Sequence, residues 1–341
     1  MEPSDRWGAK PPTFLAHALV IVAATLLTAG CGSSSSGSKT TSGPGRPPAE
    51  GTWSKGQDID PLYKGDPQFD GIQAVSCPTP SFCAAGGSQG MFTYDGSNWT
   101  HSDKVGDGND VLTVSCSSPT FCVAGTFKGN VYTYTGNGWS PPQVLAGNPN
   151  GQSEVTSVSC PTNTFCAAVD GLGSLYTYNG VSWNELQDLL GTSSSGKPSV
   201  VSCPTDTFCL AGNDTYSYTY NGTRWSPLNG GTYPPLSCAT STFCVAADAS
   251  GGVDRTDNGS QQGEAAQIDP MEEPVQSLSC PTTSFCAVVS NNLAATYEGT
   301  KWTRTQYIAP KNAHLESVSC PTSNFCVAGE GEGGNVYIYR R

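Results

Sequence analysis

The chain has 341 residues, of which 28 are Asp or Glu and 16 are Lys or Arg, so its formal net charge is −12. A chain this acidic, without a basic stripe, cannot grip phosphate backbones well, and nucleic acid is therefore excluded as a partner. The length suits either two average domains or one large all-β domain.

The first 30 residues have the pattern of an export signal. Arg6 and Lys10 precede an apolar run over residues 14–27, and small residues follow the run. A positive region, a hydrophobic stretch and small residues before a cleavage site are typical of a secretory signal peptide. The alternative is an uncleaved N-terminal membrane helix, for which this apolar run is just long enough.

The end of this segment, LTAGC at residues 27–31, resembles the lipobox of bacterial lipoproteins. It departs from that pattern at Thr28, where the family usually has Leu. The resemblance implies that Cys31 carries a diacylglycerol group and anchors the protein to the extracytoplasmic face of the cell membrane. Residues 32–50 are rich in Ser, Gly and Pro, so segment 31–50 is predicted to be a lipidated tether with a reach of about 25 Å.

The other fourteen cysteines form seven C-x5-C pairs. In an exported protein such pairs are predicted to be disulfides, and the odd cysteine is explained because a lipidated Cys31 needs no partner. Zinc is the rival interpretation, but zinc sites favour shorter gaps between ligands. The predicted disulfides are Cys77–Cys83, Cys116–Cys122, Cys160–Cys166, Cys203–Cys209, Cys238–Cys244, Cys280–Cys286 and Cys320–Cys326.

Each cysteine pair opens a longer repeat, and successive first cysteines lie 35 to 44 residues apart. Repeats of this length indicate solenoids, propellers or arrays. The third unit reads as four short strands, at residues 155–160, 166–169, 175–178 and 183–187, with a tight turn at Asn179-Gly180. Seven such units predict an all-β fold, a seven-bladed β-propeller of four-stranded antiparallel blades.

The two ends of the repeat region are complementary. The seventh unit stops after its third strand, whereas WSKGQDIDP at residues 53–61 matches WTRTQYIAP at residues 302–310 in Trp, Gln, Ile and Pro. The N-terminal segment is therefore predicted to supply the missing strand of the last blade. This places the propeller domain at residues 51–341.

Two families resemble these repeats. Tyr-x-Gly-x-x-Trp, with Gly86-Gly87 upstream in the first unit, resembles a kelch repeat, and the same turn occupies the place of the Asp-box in sialidase-like propellers. The Asp-box itself is not matched, because tyrosines stand where its Asp would be, namely Tyr94, Tyr134, Tyr178 and Tyr220. The resemblance implies the fold and carries little information about activity.

Aromatic and small residues recur in every unit at fixed positions. The Phe before each second Cys points to the blade face opposite the Cys, so with the Trp residues it is expected to fill the spaces between blades. The Ser before each first Cys is expected to let blades approach closely because it is small. The serines are Ser76, Ser115, Ser159, Ser202, Ser237, Ser279 and Ser319, and the phenylalanines are Phe82, Phe121, Phe165, Phe208, Phe243, Phe285 and Phe325.

Loop lengths vary at one end of the predicted ring only, and repeat proteins often bind partners on such a face. Asp110, Glu154 and His314 occupy one position, six residues before the first Cys, and are predicted to meet at the channel mouth as a ligand or cation site. Ordinary solvated loop charges are the alternative. Residues 103–110 are a further candidate for calcium, although they lack the ligand spacing of a calcium loop.

The sequence carries no nucleophile elbow and no cofactor pattern, so no cofactor and no metal are predicted. The leading hypothesis is a monomeric, lipid-anchored binding module for a protein or a glycan at the cell surface. The alternatives are a glycan-directed hydrolase or lyase and a purely structural envelope protein.

Overall fold

The computed structural model describes residues 51–60, 71–88, 90–102, 105, 110–145, 153–186, 198–228, 230–247, 252–257, 260–261, 266–267 and 274–341. The chain divides into two units, Met1–Pro48 and Ala49–Arg341, and all described residues belong to the second. The predicted signal peptide, Cys31, the tether and most of the calcium candidate at 103–110 lie outside the described residues. In the described part, no helix is long and apolar enough to cross a membrane.

The strands form seven antiparallel sheets, six of them built from consecutive strands and the seventh from the first two and the last three strands. This confirms the predicted seven-bladed β-propeller. The first described strands are β1 (Thr52–Trp53) and β2 (Gln57–Asp58). Blade 1 is β3 (Ile72–Thr79), β4 (Phe82–Gly87), β5 (Gly90–Tyr94) and β6 (Trp99–Ser102). Blade 2 is β7 (Val111–Ser118), β8 (Phe121–Thr126), β9 (Asn130–Tyr134) and β10 (Gln143–Val144). Blade 3 is β11 (Val155–Thr162), β12 (Phe165–Asp170), β13 (Leu175–Tyr178) and β14 (Trp183–Glu185), and blade 4 is β15 (Val200–Thr205), β16 (Phe208–Gly212), β17 (Ser217–Tyr220) and β18 (Trp225–Leu228). Blade 5 is β19 (Leu236–Thr240), β20 (Phe243–Ala247), β21 (Gly252–Asp257), β22 (Ser260–Gln261) and β23 (Ala266–Gln267). Blade 6 is β24 (Ser277–Thr282), β25 (Phe285–Ser290), β26 (Leu293–Tyr297) and β27 (Gln306–Tyr307), and blade 7 begins with β28 (Leu315–Thr322), β29 (Phe325–Glu330) and β30 (Asn335–Arg340).

The N-terminal strands complete blade 7, as predicted. Trp53 of β1 pairs with Tyr339 of β30, and Gln57 of β2 pairs with Val336 of the same strand. The two rings of Trp53 and Tyr339 lie 5.4 Å apart, and Ile59 is buried among side chains of blades 1 and 7. The first and last segments of the propeller are thereby joined in one sheet, in which β30 is paired on both sides.

The first strands of the seven blades, β3, β7, β11, β15, β19, β24 and β28, pack side by side in a closed ring. Each serine before a first Cys accepts a hydrogen bond from the N–H of the first Cys in the next blade, at 2.9–3.0 Å. The last of these bonds runs from Cys77 back to Ser319, so the circle closes. Each first strand is an edge strand, and the serine of its neighbour satisfies an N–H that the sheet leaves unpaired.

The core consists of one packed layer between each pair of blades, as predicted for the aromatic residues. Phe121 of blade 2 packs with Tyr178 of blade 3 at a ring distance of 6.2 Å, and it shares a buried cluster with Cys160, Cys166 and Trp183. The same pattern joins Phe82 to Tyr134, Phe165 to Tyr220 and Phe285 to Tyr339. The phenylalanine of one blade therefore packs against the disulfide and aromatic pair of the next.

All fourteen cysteines of the propeller form disulfides within their own C-x5-C hairpins. Each bridge ties the first strand of a blade to the second across the hairpin. The second cysteine of every pair is fully buried. The disulfides are thus part of the layers between blades, where they substitute for larger apolar side chains.

The fourth strands are shorter than the sequence predicted. In blades 2, 6 and 7 the ladder is interrupted after the Trp, because a hydroxyl replaces the backbone acceptor of the neighbouring strand. Ser140 accepts the N–H of Thr133, Thr303 accepts that of Thr296, and Ser54 accepts that of Ile338, each at 3.0 Å. In these three blades the hydroxyl therefore gives the third strand a hydrogen-bond acceptor where the ladder is interrupted, whereas in blades 1, 3 and 4 the ladder continues past the Trp.

The first hairpin and the third-to-fourth turn of a blade meet at one end of the ring, which we call the constant end. In blade 1 the third-to-fourth turn lies on the first hairpin, since a Cβ on Gly96 would be 3.4 Å from the Cα of Ser81. Gly96 has a φ of 95°, which only glycine adopts readily. Gly51 also lies at this end against the ring of Tyr339, and the N–H of Arg341 donates to Asn324 of the last hairpin.

Candidate binding face

The opposite end of the ring carries the second-to-third turns and the segments that lead from one blade to the next. We call it the variable end, and define it by turns 127–129, 171–174, 213–216, 291–292 and 331–334 together with the residues that enter the first strands. The direction of the strands requires this separation. In each blade the second and fourth strands run from the constant end to the variable end, so the segments that follow them lie at the variable end. The face whose loops differ in length is therefore distinct from the face where the chain enters and leaves the propeller.

Asp110, Glu154 and His314 all lie at the variable end, each directly before a first strand. Their carbonyl groups hold the second-to-third turn of their own blade. The carbonyl of Asp110 accepts the N–H of Phe127 at 2.9 Å, that of Glu154 accepts Gly171 at 2.8 Å, and that of His314 accepts Gly331 at 2.7 Å. The common sequence position thus has a common backbone role, which the sequence did not reveal.

The side chains of His314 and Glu154 have separate surroundings. His314 Nε2 lies 3.8 Å from Glu332 Oε2, and both side chains are about half exposed, so they attract each other only when the imidazole is protonated. The Glu154 carboxylate lies against Gly171, where an added Cβ would be 2.5 Å from Oε1. Within the described residues no three His, Cys, Asp or Glu side chains are grouped to hold a metal ion. As contacts for a ligand the three residues stay a prediction.

Two buried acids at the variable end were missed by sequence reasoning. Asp170 accepts the hydroxyl of Tyr176 at 3.0 Å and the N–H of Ser174 at 2.8 Å. Glu330 likewise accepts the hydroxyl of Tyr337 at 2.8 Å. Burial, followed by the neighbouring carboxylate, raises the pKa of Tyr176 above its ordinary value, and burial and the bond to Glu330 do the same for Tyr337.

These acids are structural parts of the face. Asp170 and Glu330 each end a second strand, and each bonds a tyrosine in the middle of the third strand. Each acid–tyrosine hydrogen bond therefore helps to hold the turn between the second and third strands. The available signal in the sequence was an acid five residues after the hairpin Phe, where other blades have Gly87, Thr126 or Asn213.

Large apolar side chains also stand exposed at the variable end. Phe127 is 59% exposed, Leu172 57%, Tyr216 41% and Tyr233 38%. Sequence reasoning assigned them no role, although each is an apolar residue in a turn rich in Gly, Asp, Asn or Thr. The loop composition suggests a polar face, but the face also presents apolar side chains.

The seven sheets and their two unlike ends define the chain as a seven-bladed β-propeller with one loop-bearing face. Solved structures of similar fold include YCF48 bound to D1 peptide, with a TM-score of 0.61 and 14% identity over 80% of this chain and 92% of that chain. YCF48 from Cyanidioschyzon merolae has a TM-score of 0.60 and 15% identity, covering 80% of this chain and 95% of its own. Comparison with protein families and with curated proteins finds no match. At these identities the likeness is one of fold.

Proposed function

We propose that this protein is an extracytoplasmic binding module, anchored to the membrane through a lipidated Cys31, that holds a protein partner with its variable end. The observation that carries the proposal is the difference between the two ends of the ring. Residue 51 enters the propeller at the constant end, on the hairpin side of Tyr339, and the loops that differ between blades stand at the other end. A tether joined to the constant end leaves the variable end free to face away from the membrane.

The anchor and the compartment have independent support. The apolar run at 14–27 and the LTAGC motif at 27–31 have the pattern of a lipoprotein signal, and the tether that follows reaches about 25 Å. Seven disulfides in one domain are typical of proteins that fold in an oxidising compartment. Export and anchoring therefore fit the cysteine chemistry of the whole chain.

A protein partner is favoured over the other classes by the character of the variable end. Its turns are held by backbone hydrogen bonds and by the buried Asp170 and Glu330, and it presents apolar side chains. Rigid surfaces with exposed aromatic residues are typical of protein interfaces. YCF48, a propeller of similar fold, has been solved with a bound D1 peptide, so this architecture is compatible with holding a polypeptide.

The anchor is tested by changing Cys31 to Ser in the full-length protein, with Ser33→Ala as the matched control. We expect the wild type and the control to fractionate with membranes, and the Cys31→Ser protein to be released or to accumulate unprocessed. Retention of Cys31→Ser protein in membranes at the processed size would contradict the lipid anchor.

The binding face is tested by photo-crosslinking in living cells. A photoreactive residue replaces Glu332 on blade 7 or Lys128 on blade 2, both exposed at the variable end, or Val181, which is 86% exposed at the constant end. We expect defined protein adducts from at least one of the two variable-end positions and none from position 181. Adducts that form only at the constant end, or no adducts at any of the three positions, would overturn the proposal.

A further inference from the structure

Four of the large hydrophobic side chains exposed in the described residues lie at the variable end of consecutive blades. Phe127 lies in the turn of blade 2, Leu172 in that of blade 3 and Tyr216 in that of blade 4, and Tyr233 lies in the segment leading from blade 4 to blade 5. We call these four residues the apolar arc. The strands β7, β11 and β15 that begin these blades pack side by side, so the turns follow one another around the ring.

The backbone of the apolar arc is held in place. The N–H of Phe127 donates to the carbonyl of Asp110 at 2.9 Å, that of Leu172 to Ser153 Oγ at 3.0 Å, and that of Tyr216 to Asn213 Oδ1 at 2.7 Å. The apolar side chains are therefore presented by fixed turns. A preorganised surface loses little conformational entropy when a partner docks.

The turn that carries Tyr216 and the segment that carries Tyr233 are joined by a buried contact. Ser217 Oγ and Thr232 Oγ1 lie 2.6 Å apart, and both residues are almost fully buried. Tyr216 precedes the first and Tyr233 follows the second in the chain. The N–H of Thr232 also donates to the carbonyl of Asn213 at 2.7 Å, which ties the segment between the blades to the turn.

Among the described second-to-third turns, large apolar residues occur in those of blades 2 to 4. The equivalent turn of blade 6 is Asn291-Asn292, beside which Tyr307 of the outer strand is exposed, and that of blade 7 contains Glu332 between two glycines. An apolar turn residue present in blades 2 to 4 and absent from the turns of blades 6 and 7 is not a requirement of the scaffold, which repeats in every blade. Confined exposed apolar surface of this kind marks interaction sites.

Acidic residues accompany the apolar arc. Asp110 and Glu154 hold the turns of Phe127 and Leu172 through their carbonyl groups, and Asp214 is exposed two residues before Tyr216. Lys128 is the basic residue that the described turns of blades 2 to 4 place beside them. Among the described residues of this region, three carboxylates lie beside one ammonium, which favours a positively charged partner, and the net charge of −12 attracts it over longer distances.

We infer that the apolar arc is the docking site for a polypeptide segment of the partner that carries apolar side chains flanked by Lys or Arg. Neighbouring sheets lie about 10 Å apart, so three blades span about 20 Å, which about six residues of extended chain cover. The apolar side chains would cover Phe127, Leu172 and the two tyrosines, and the basic flanks would lie beside Glu154 and Asp214. This inference rests on the proposed function and specifies which part of the variable end binds and what it recognises.

The test uses the full-length lipidated protein in detergent and three fluorescent nine-residue peptides. The first has a Leu-Phe-Val-Leu-Phe core between two Lys-Arg pairs, the second has the same core between Glu-Glu pairs, and the third has a Ser-Gly core between Lys-Arg pairs. By fluorescence anisotropy we expect the first peptide to bind, and the other two to bind at least about ten-fold more weakly.

The matched variants change exposed apolar residues inside and outside the arc. Phe127→Ser with Leu172→Ser should weaken binding of the first peptide about ten-fold or more, whereas Val181→Ser with Tyr307→Ser should leave it unchanged. Val181 and Tyr307 are even more exposed, at 86% and 80%, so this pair controls for non-specific binding to exposed apolar side chains. Glu154→Gln with Asp214→Asn should weaken binding and reduce its salt dependence.

Each contrary result overturns the inference in its own way. Equal losses in both apolar pairs would mean non-specific adhesion, equal binding of the acidic-flanked peptide would remove the charge argument, and no binding of the first peptide would exclude this ligand class. In all three cases crosslinks from position 332 or 128 in cells would still support the proposed function, so the two failures can be told apart.

Discussion

Ser159 illustrates how a single small side chain organises this molecule. Its Oγ accepts the N–H of Cys203 in the next blade at 2.9 Å, and six equivalent serines do the same around the ring. The sequence predicted that the serine is small enough for close approach. The structure adds that its hydroxyl replaces the missing strand partner, because the first strand of every blade has an unpaired edge.

Replacing Ser159 by Ala should therefore lower stability. The N–H of Cys203 would be left without its acceptor in a partly buried position, at a cost of about 1–2 kcal/mol in the free energy of unfolding. Chemical denaturation of the wild type and the variant measures the loss. Ser97→Ala is the control, because Ser97 is exposed in a constant-end turn. Equal stability of Ser159→Ala and Ser97→Ala would mean that the ring of serines is not stabilising.

The buried tyrosines predict how stability depends on alkaline pH. Burial and the neighbouring acids raise the pKa of Tyr176 and Tyr337 above the unfolded value near 10. The folded protein keeps these protons while the unfolded chain loses them, so this contribution is complete below pH 10 and is lost progressively as the pH rises further. The melting temperature should therefore fall steeply above pH 10.

The double variant Tyr176→Phe with Tyr337→Phe should show a shallower fall in melting temperature over the same range, because two of the titrating groups are gone. Its melting temperature at pH 7 is expected to be lower, since Asp170 and Glu330 each lose a hydrogen-bond donor. Tyr307→Phe is the control, because Tyr307 is 80% exposed. An alkaline slope in the double variant equal to that of the wild type would refute the assignment.

At the scale of the element, the hairpin with its disulfide is the repeating unit of stability. The bridge closes a loop of only a few residues, and the same cysteines pack against the phenylalanine of the preceding blade. Replacing Cys160 and Cys166 together by Ala should cost about 2 kcal/mol from loop closure, with a further loss from packing against Phe121. Denaturation under non-reducing conditions measures it, and an unchanged midpoint would show that the bridge is dispensable.

At the scale of the whole molecule, ring closure depends on ten residues far from the C terminus in sequence. Deleting residues 51–60 removes the partner strand of β30, the Trp53–Tyr339 contact and buried Ile59. We expect a loss of at least about 3 kcal/mol in the free energy of unfolding, because buried apolar area and a strand ladder are both lost. Deletion of residues 32–49 is the control and should leave the melting temperature unchanged. If both deletions melt alike, closure through β1 and β2 contributes nothing.

The sequence by itself determined the number of blades, the strand order, the cysteine pairing and the closure by Trp53. These follow from period, alternation and spacing, which are local properties repeated seven times, so each copy supports the same interpretation. It did not determine the serine ring or the acid–tyrosine hydrogen bonds of Asp170 and Glu330, because a hydroxyl or carboxylate finds its partner only when two distant strands are placed side by side.

Some features of the candidate site were likewise predictable from the sequence, and others were not. Loop lengths predicted which end varies, and the shared position of Asp110, Glu154 and His314 placed all three there. Only the tertiary structure decided that their carbonyls hold the turns and that Phe127, Leu172 and Tyr216 stand exposed on consecutive blades. Exposure depends on what the surrounding turns cover. That is set by packing between blades and not by the residues on either side in the chain.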